Sequence, residues 1–366
     1  MGRIKILASI EWYTPAFRAG GIISSLVNQV AHLSSEFDFW IVCSHRDLLG
    51  PMPEIDRTDC WIQQTRHQVL YCSKSPNWSR ILNEAKPDII YVNGIFNGPF
   101  CRALLSSAGK TTIPVVLAAH GMLSPNALAI KWWLKKPWLW LNQKRDIFRN
   151  VVWHASSTTE KQQINHWFPG AHIKVAQNLP PSAAKNITAP SEKLEFLSVG
   201  RIHPIKNYGF AAECLAALTQ KLNIPASYHL IGPAEDEQER GQILKHAGGL
   251  LTIELLGEKK PSDLADHYQR ATCLLVPSLT ENYGVVVAEA MGNGLPAVVS
   301  DQTPWGTFPP SPALRCLPLD QDKWVNTLAE LSEENLRKNL ISIAQSYFEA
   351  HLINEEIRNQ HRALFS

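Results

Sequence analysis

Short apolar runs separated by helix-length segments recur along the whole chain. In the first half they are Ile4 to Ser9, Phe37 to Ser44, Ile89 to Val92, Val115 to Ala119 and Val151 to Ala155. The pattern resumes with Glu195 to Val199, Tyr228 to Ile231, Thr252 to Leu255, Cys273 to Val276 and Ala297 to Ser300. Runs of this length without strict polar alternation are strands buried on both faces, so each half is expected to be a parallel sheet with helices on both sides. Between the halves, Asn178 to Ser191 is rich in proline and small polar residues and reads as a linker. The expected organisation is an α/β chain with two Rossmann-like domains, residues 1–180 and 181–345, and a final helical segment over 346–366. In such sheets ligands bind at the carboxyl ends of the strands, so a cleft between the halves is expected, with both sheets turning that edge toward it.

Composition narrows the partner classes. The chain has 366 residues, 45% of them hydrophobic and 19% charged, with a net charge of +2. That is enough for two cores, and the near-neutral balance argues against a dedicated nucleic-acid binder. Seven cysteines are dispersed with no C-x-x-C pair, which fits a reducing compartment and no structural zinc. The apolar run at the start is interrupted by Lys5 and ends by Glu11, too short for a signal peptide. No later run approaches the length of a membrane span. A cytoplasmic location follows as the expectation, and the sequons at Asn77 and Asn186 read as accidental.

The most informative stretch is Pro277 to Met291, in which Glu281 and Glu289 are separated by seven residues across a strand-to-helix turn. Glu281 falls on the loop at the carboxyl end of the run Cys273 to Val276, and from Gly284 onward the spacing of Val285, Ala288, Glu289 and Met291 fits a helix. Backbone N–H groups at the start of that helix, near Asn282, Tyr283, Gly284 and Val285, would attract an anion such as a diphosphate. Glu289 is then placed to accept hydrogen bonds from a hydroxyl-rich group beside it. The run Ser198 to Asn207 brings Gly200, Arg201 and Lys206 to the edge of the first strand of the second half. Its glycine permits close backbone approach, and its two cations suit a departing diphosphate.

In the first half, Gly20 and Gly21 stand between the first strand and the first helix, leaving room and exposed amides. His120 ends the strand before Gly121-Met122-Leu123-Ser124-Pro125, and a lone histidine in such a place is ordinarily structural. The segment Lys131 to Arg145 sets four tryptophans among five cations, which fits either peripheral contact with a membrane surface or a helix whose tryptophans face the core. Pro137 is expected to split it. Asp320-Gln321-Asp322 has the form of a metal-binding pair but follows Leu317-Pro318-Leu319 near the C-terminal helices, so no metal site is expected. His154, His203 and His229 read as structural, or as supports for residues at the site, rather than as catalytic.

The E-x7-E segment, with Gly294-Leu295-Pro296 and the strand after it, resembles the retaining GT-B glycosyltransferases of family 4, and the resemblance covers nearly the whole chain. It implies the GT-B fold, with the helix over 346–366 packing back on the first domain, and transfer of a hexose-type sugar from a nucleotide-diphosphate sugar, without a metal or other cofactor. A uridine diphosphate sugar is the first choice of donor and guanosine diphosphate mannose the second. By the same resemblance Arg201 and Lys206 clamp the donor phosphates, Glu289 holds the ribose hydroxyls, Glu281 holds the sugar hydroxyls, and Gly20 and Gly21 form the glycine-rich first loop. His120 contacts the donor sugar or approaches the reacting centre. The strings His120 to Pro125 and Thr303-Pro304-Trp305 are similar to those of bacterial polysaccharide-assembly members. They imply a glycan or lipid-linked glycan acceptor, in O-antigen, capsule or exopolysaccharide synthesis, at the inner face of the cytoplasmic membrane. The alternatives are a GT-B-type nucleotide-sugar epimerase and a catalytically silent carbohydrate-binding scaffold.

Overall fold

The computed structural model describes every residue except 1, 17, 19, 49, 53, 145, 146, 185–190 and 192. Part of the expected linker, the sequon at Asn186, and Arg145 of the tryptophan-rich segment therefore lie outside the described residues. The first-half strands are β1 (Ile4–Ser9), β2 (Phe37–Ser44), β3 (Arg46–Asp47), β4 (Gly50–Pro51), β5 (Trp61–Gln63), β6 (Gln68–Cys72), β7 (Ile89–Asn93), β8 (Val115–Ala118), β9 (Val151–Ala155) and β10 (His172–Val175). Those of the second half are β11 (Leu194–Val199), β12 (Ala226–Ile231), β13 (Leu251–Gly257), β14 (Cys273–Val276), β15 (Ala297–Ser300) and β16 (Leu314–Leu317). The helices between them are α1 (Gly21–Leu33), α2 (Trp78–Ala85), α3 (Ala103–Ala108), α4 (Pro125–Ala129), α5 (Trp132–Lys144), α6 (Thr158–Trp167), α7 (Tyr208–Leu222), α8 (Glu237–Leu244), α9 (Pro261–Arg270) and α10 (Val285–Gly292). Three more close the chain: α11 (Gln321–Leu331), α12 (Glu334–His351) and α13 (Glu355–Leu364).

The first unit comprises residues 1–179 and 355–366. Its eight-stranded sheet has the order β10-β9-β8-β7-β1-β2-β6-β5, parallel except where β5 meets β6. Successive residues of β7 alternate between two cores: Ile90 and Val92 join one apolar cluster, Ile89 and Tyr91 the other. This burial on both faces explains why the strands read as unbroken apolar runs. The chain's last helix belongs to this unit. Phe365 lies edge-on to Phe37 at 5.5 Å and to Tyr91 at 5.4 Å. His361 donates from Nε2 to the Gln177 carbonyl at 2.7 Å and accepts at Nδ1 from Gln29 at 3.0 Å.

The second unit comprises residues 180–354. Its six-stranded sheet is parallel throughout, in the order β13-β12-β11-β14-β15-β16. The strand order reverses between β11 and β14, which pair directly through Phe196 with Cys273 and Leu197 with Leu274. Such a reversal is where an open parallel sheet leaves a crevice at its carboxyl edge. The unit ends at Asn354, so the expected boundary at 345 falls inside α12, and the segment joined to the first unit begins at Glu355.

Candidate functional site

The loops following β11 and β14 meet at that reversal. Leu279 N–H donates to the Ile205 carbonyl at 2.9 Å, and the Asn207 amide donates to the Pro277 carbonyl at 3.3 Å. Beneath them the buried Ser198 hydroxyl donates to the Leu275 carbonyl at 2.7 Å. This stitching brings Lys206 and Glu281 together: Nζ lies 2.5 Å from Oε1, with only 18% and 12% of the two side chains exposed. Ser278 donates its hydroxyl to the same oxygen at 2.9 Å.

Arg201 shares this sheet edge but faces another way. Its guanidinium pairs with Glu235, on the loop after β12, at 2.7 Å. The two cations thus stand at one carboxyl edge, each neutralised by its own carboxylate. The Arg201 pair is largely solvated and so weakly held, whereas the Lys206 pair is mostly buried. Gly200 fits between these loops because its φ is +148° and because a Cβ there would stand 2.7 Å from the Tyr208 hydroxyl. Gly232 is under a stronger constraint: a Cβ would lie 2.0 Å from the carbonyl oxygen of Gly200. The loop after β12 therefore supports the backbone that carries Arg201.

Gly284 is the N-cap of α10, in the left-handed conformation with φ +76°, and no side chain caps the helix. Val287 N–H bonds the Gly284 carbonyl at 3.0 Å, and the helix start, without a side-chain cap, favours an anion through its partial positive charge. A Cβ on Gly284 would stand 2.9 Å from Nε1 of Trp305, a buried nitrogen without a hydrogen-bond partner. Trp305 stacks on Phe308 at 4.6 Å and meets Tyr283 at 5.4 Å. The Tyr283 ring is therefore a core group. Asn282 and Val285 flank this turn and are half-buried. Glu289, one turn further on, accepts from the Tyr268 hydroxyl of α9 at 2.7 Å. Burial raises its carboxyl above the ordinary 4.5, against the opposing pull of that hydrogen bond. Burial, and then the Glu289 charge, likewise raise the Tyr268 phenol.

In the first unit, Gly20 is the N-cap of α1 with φ +63°, and a Cβ on Gly20 or Gly21 would meet open space. His120 follows β8 with φ +50°, a left-handed conformation rare outside glycine and costly enough to need local support. The support is visible. Nε2 donates to Asn93 Oδ1 at 2.9 Å. The next residue, Gly121, donates its N–H to Glu160 at 2.5 Å, and the same buried carboxylate accepts from the Ser156 amide and hydroxyl at 2.7 Å each. Burial, reinforced by His154, lowers the His120 imidazole to about 3, so the ring is neutral with its lone pair on Nδ1.

Four participants were absent from the sequence reading: Glu160, Tyr268, Ser278 and Gly232. Glu160 carries the one detectable signal, as the last residue of Ser157-Thr158-Thr159-Glu160, the pattern of a helix N-terminus. The Ser157 hydroxyl does accept from the Glu160 amide at 3.1 Å. Other expected assignments resolve by geometry. Asp320 accepts from the Lys323 amide and caps α11. His203 accepts from the Ile205 amide. His154 joins Tyr91 to the Ala176 carbonyl. Among the described residues no group of three or more His, Cys, Asp or Glu is gathered as metal ligands would be.

Residues 181–306 match the family model described as "Glycosyl transferases group 1". The segment contains Gly200, Arg201, Lys206, Glu281, Gly284, Glu289 and Trp305. One curated relative is the GDP-Man:Man(3)GlcNAc(2)-PP-Dol alpha-1,2-mannosyltransferase of Caenorhabditis elegans, 24% identical over 227 residues, or 56% of this chain and 48% of the relative. The chain thus spans about half the length of that relative. Solved structures match nearly end to end, two among them as follows. Sucrose-phosphate synthase from Thermosynechococcus elongatus gives a TM-score of 0.74 at 16% identity over 100% of this chain and 98% of that one. Anabaena Alr3699/HepE in complex with UDP and glucose gives 0.70 at 16% identity over 99% of each chain. The chain has the two Rossmann-like units of the GT-B fold, and its second unit carries a glycosyl transferases group 1 segment.

Proposed function

We propose that the chain is a retaining glycosyltransferase that moves a hexose-type sugar from a nucleotide-diphosphate sugar to a glycan or lipid-linked glycan. The observation that carries this reading is the meeting of Lys206 and Glu281 beside the uncapped start of α10, at the strand-order reversal and inside the group 1 segment. One edge then offers a cation and a helix N-terminus for a diphosphate, with a carboxylate for sugar hydroxyls. Arg201, released from Glu235, adds the second cation. Glu289, already bound to one hydroxyl in Tyr268, is the acceptor assigned to the ribose hydroxyls.

In the reaction the bond from the sugar's anomeric carbon to the phosphate oxygen breaks, and a bond to the acceptor oxygen forms on the same face. The acceptor's hydroxyl proton passes to the departing phosphate. Arg201, Lys206 and the α10 amides stabilise the charge that develops on the diphosphate, and they act more strongly in a water-poor site. The first unit is assigned the choice of acceptor. Its contact with the reacting sugar is His120, as a neutral hydrogen-bonding group rather than a proton carrier, because an imidazole lowered to about 3 holds a proton poorly near neutrality.

A uridine diphosphate sugar is the first donor to test, since Alr3699/HepE holds UDP and glucose. Guanosine diphosphate mannose is second, the donor in the name of the worm relative, whose acceptor is carried on PP-Dol. An acceptor in bacterial surface-polysaccharide synthesis, on a lipid carrier at the inner face of the cytoplasmic membrane, extends the reading furthest. The test incubates the pure protein with each nucleotide sugar and a panel of glycan acceptors, and follows released nucleotide and the product's anomeric proton by NMR. Product with the donor's anomeric configuration supports the reading. An inverted product sinks retention, conversion of the donor without acceptor points to an epimerase, and no turnover that depends on Lys206 leaves a scaffold.

A further inference from the structure

Among the described residues, six of the ten large apolar side chains that stand exposed fall between Ile130 and Leu141: Ile130, Trp132, Trp133, Leu134, Trp140 and Leu141. All lie on or just before α5, and each is 40% to 60% exposed. The helix runs unbroken through Pro137, contrary to the expected split, at the cost of the backbone bond that proline cannot donate. Its inward stripe has helical spacing: Lys135, Trp138, Leu139 and Asn142. Lys135 donates to the Ala127 carbonyl at 2.6 Å, Trp138 packs on Phe96 at 5.3 Å, and Leu139 and Asn142 are buried. The opposite side carries Trp133, Pro137, Trp140 and Leu141, all exposed. A helix apolar on both sides needs a second apolar environment.

Charge says which. From Ile89 to Arg145 the chain contains no Asp or Glu, while it contains seven Lys and Arg. Lys131 and Lys136 are exposed beside the apolar side, and the Lys136 ammonium lies 5.8 Å from the Trp132 ring centre. A second copy of the chain would bring the same cations face to face, and a nucleic acid would leave Trp133, Leu134 and Leu141 in water. An anionic bilayer interface answers both: indoles prefer the headgroup level, leucines enter the acyl boundary, and lysines meet the phosphates. The helix has 13 residues, about 20 Å at its ordinary rise, so it would lie along the surface. No described helix is long and apolar enough to cross a membrane.

We propose that the outward side of α5 docks this protein on a bilayer with anionic headgroups, inserting Trp133, Leu134, Trp140 and Leu141 at the interface. The docking stands on the exposed side itself. It rests on the transfer reading only in that a lipid-carried acceptor would be met there.

The test sediments the full chain with vesicles of phosphatidylcholine alone and of phosphatidylcholine with phosphatidylglycerol in equal parts. Expected are binding to the mixed vesicles, release by salt, and a blue shift of tryptophan emission. Trp133→Ser/Trp140→Ser/Leu141→Ser should lower the partition by at least about tenfold. Lys131→Glu/Lys136→Glu should do the same, since each nearby cation is worth roughly fivefold. Unchanged melting curves would show that these surface variants fold. Absence of vesicle binding overturns the proposal, as does equal binding by the variants. So does a wild-type dimer that the apolar variant converts to monomer without lipid binding. Donor-induced melting shifts measured in parallel keep the two readings apart: vesicle binding without any nucleotide-sugar shift leaves docking intact and counts against transfer.

Discussion

The Lys206 ammonium lies 2.5 Å from the Glu281 carboxylate, across 75 residues of sequence. Direct pairing of β11 with β14 makes this possible, because it sets their following loops side by side. The pair also sets up a competition. A diphosphate reaching Lys206 must share it with Glu281, which is then freed toward ligand hydroxyls while Ser278 still holds it in place.

Lys206→Ala is expected to lower transfer by about 10²- to 10³-fold, the scale for losing one preorganised charge stabiliser. Its melting temperature should fall only slightly, because Ser278 remains a partner for Glu281. Steady-state kinetics beside a melting curve checks this, and unaltered kcat/KM would remove Lys206 from the mechanism.

Gly232→Ala should destabilise the second unit by roughly 2 kcal/mol or more, since its φ is +148° and the new methyl would meet the Gly200 carbonyl. The same change should weaken donor binding by displacing the Gly200–Arg201 backbone. Denaturant unfolding and a donor titration read the two effects separately. Gly241→Ala, whose Cβ would meet open space in α8, is the control.

Much of this was legible in the chain. The runs Ile4 to Ser9, Phe37 to Ser44, Val151 to Ala155, Cys273 to Val276 and Ala297 to Ser300 are strands over those same residues, because burial on both faces leaves an unbroken apolar signal. Strands β5, β10 and β16 were missed, and each is a short edge strand with mixed polarity. The buried β6 was missed as well, although Val69 to Cys72 is apolar. At the candidate site, spacing could place Lys206 and Glu281 on strand-end loops, but their contact depends on strand order, which spacing does not encode. Tyr268 and Glu160 lie on helices whose sequence gives no hint of a partner in another segment. The tryptophan segment left two orientations open, and the helix turns Trp138 inward while Trp132, Trp133 and Trp140 face out.

Acidification should destabilise the first unit. His120 and His361 are each lowered from 6.5 to about 3, first by burial and then by the neighbouring His154. An unfolded chain therefore takes up protons that the fold refuses, so stability is present above about 6.5 and is lost as pH falls toward 3. The loss should reach on the order of a few kcal/mol. Melting curves of the wild type and of His361→Gln across this range check it, and the variant's slope should be flatter.

Glu289 gives a dependence of the opposite sign. Its raised carboxyl binds a proton more tightly folded than unfolded, so its contribution is full below the ordinary 4.5 and is lost as pH rises through the folded value. Glu289→Gln keeps an acceptor for Tyr268 and removes the charge. Without ligand it should therefore melt higher than wild type at neutral pH, with the gap closing in acid, while nucleotide-sugar affinity drops.

The most direct test of the central claim is calorimetric titration of uridine diphosphate glucose, and then guanosine diphosphate mannose, into the wild type and Lys206→Ala. The account predicts saturable binding of one donor by the wild type and at least about tenfold weaker binding by the variant, a loss of about 1.4 kcal/mol. Equal affinity in the two proteins, or no binding of either donor by the wild type, would contradict it.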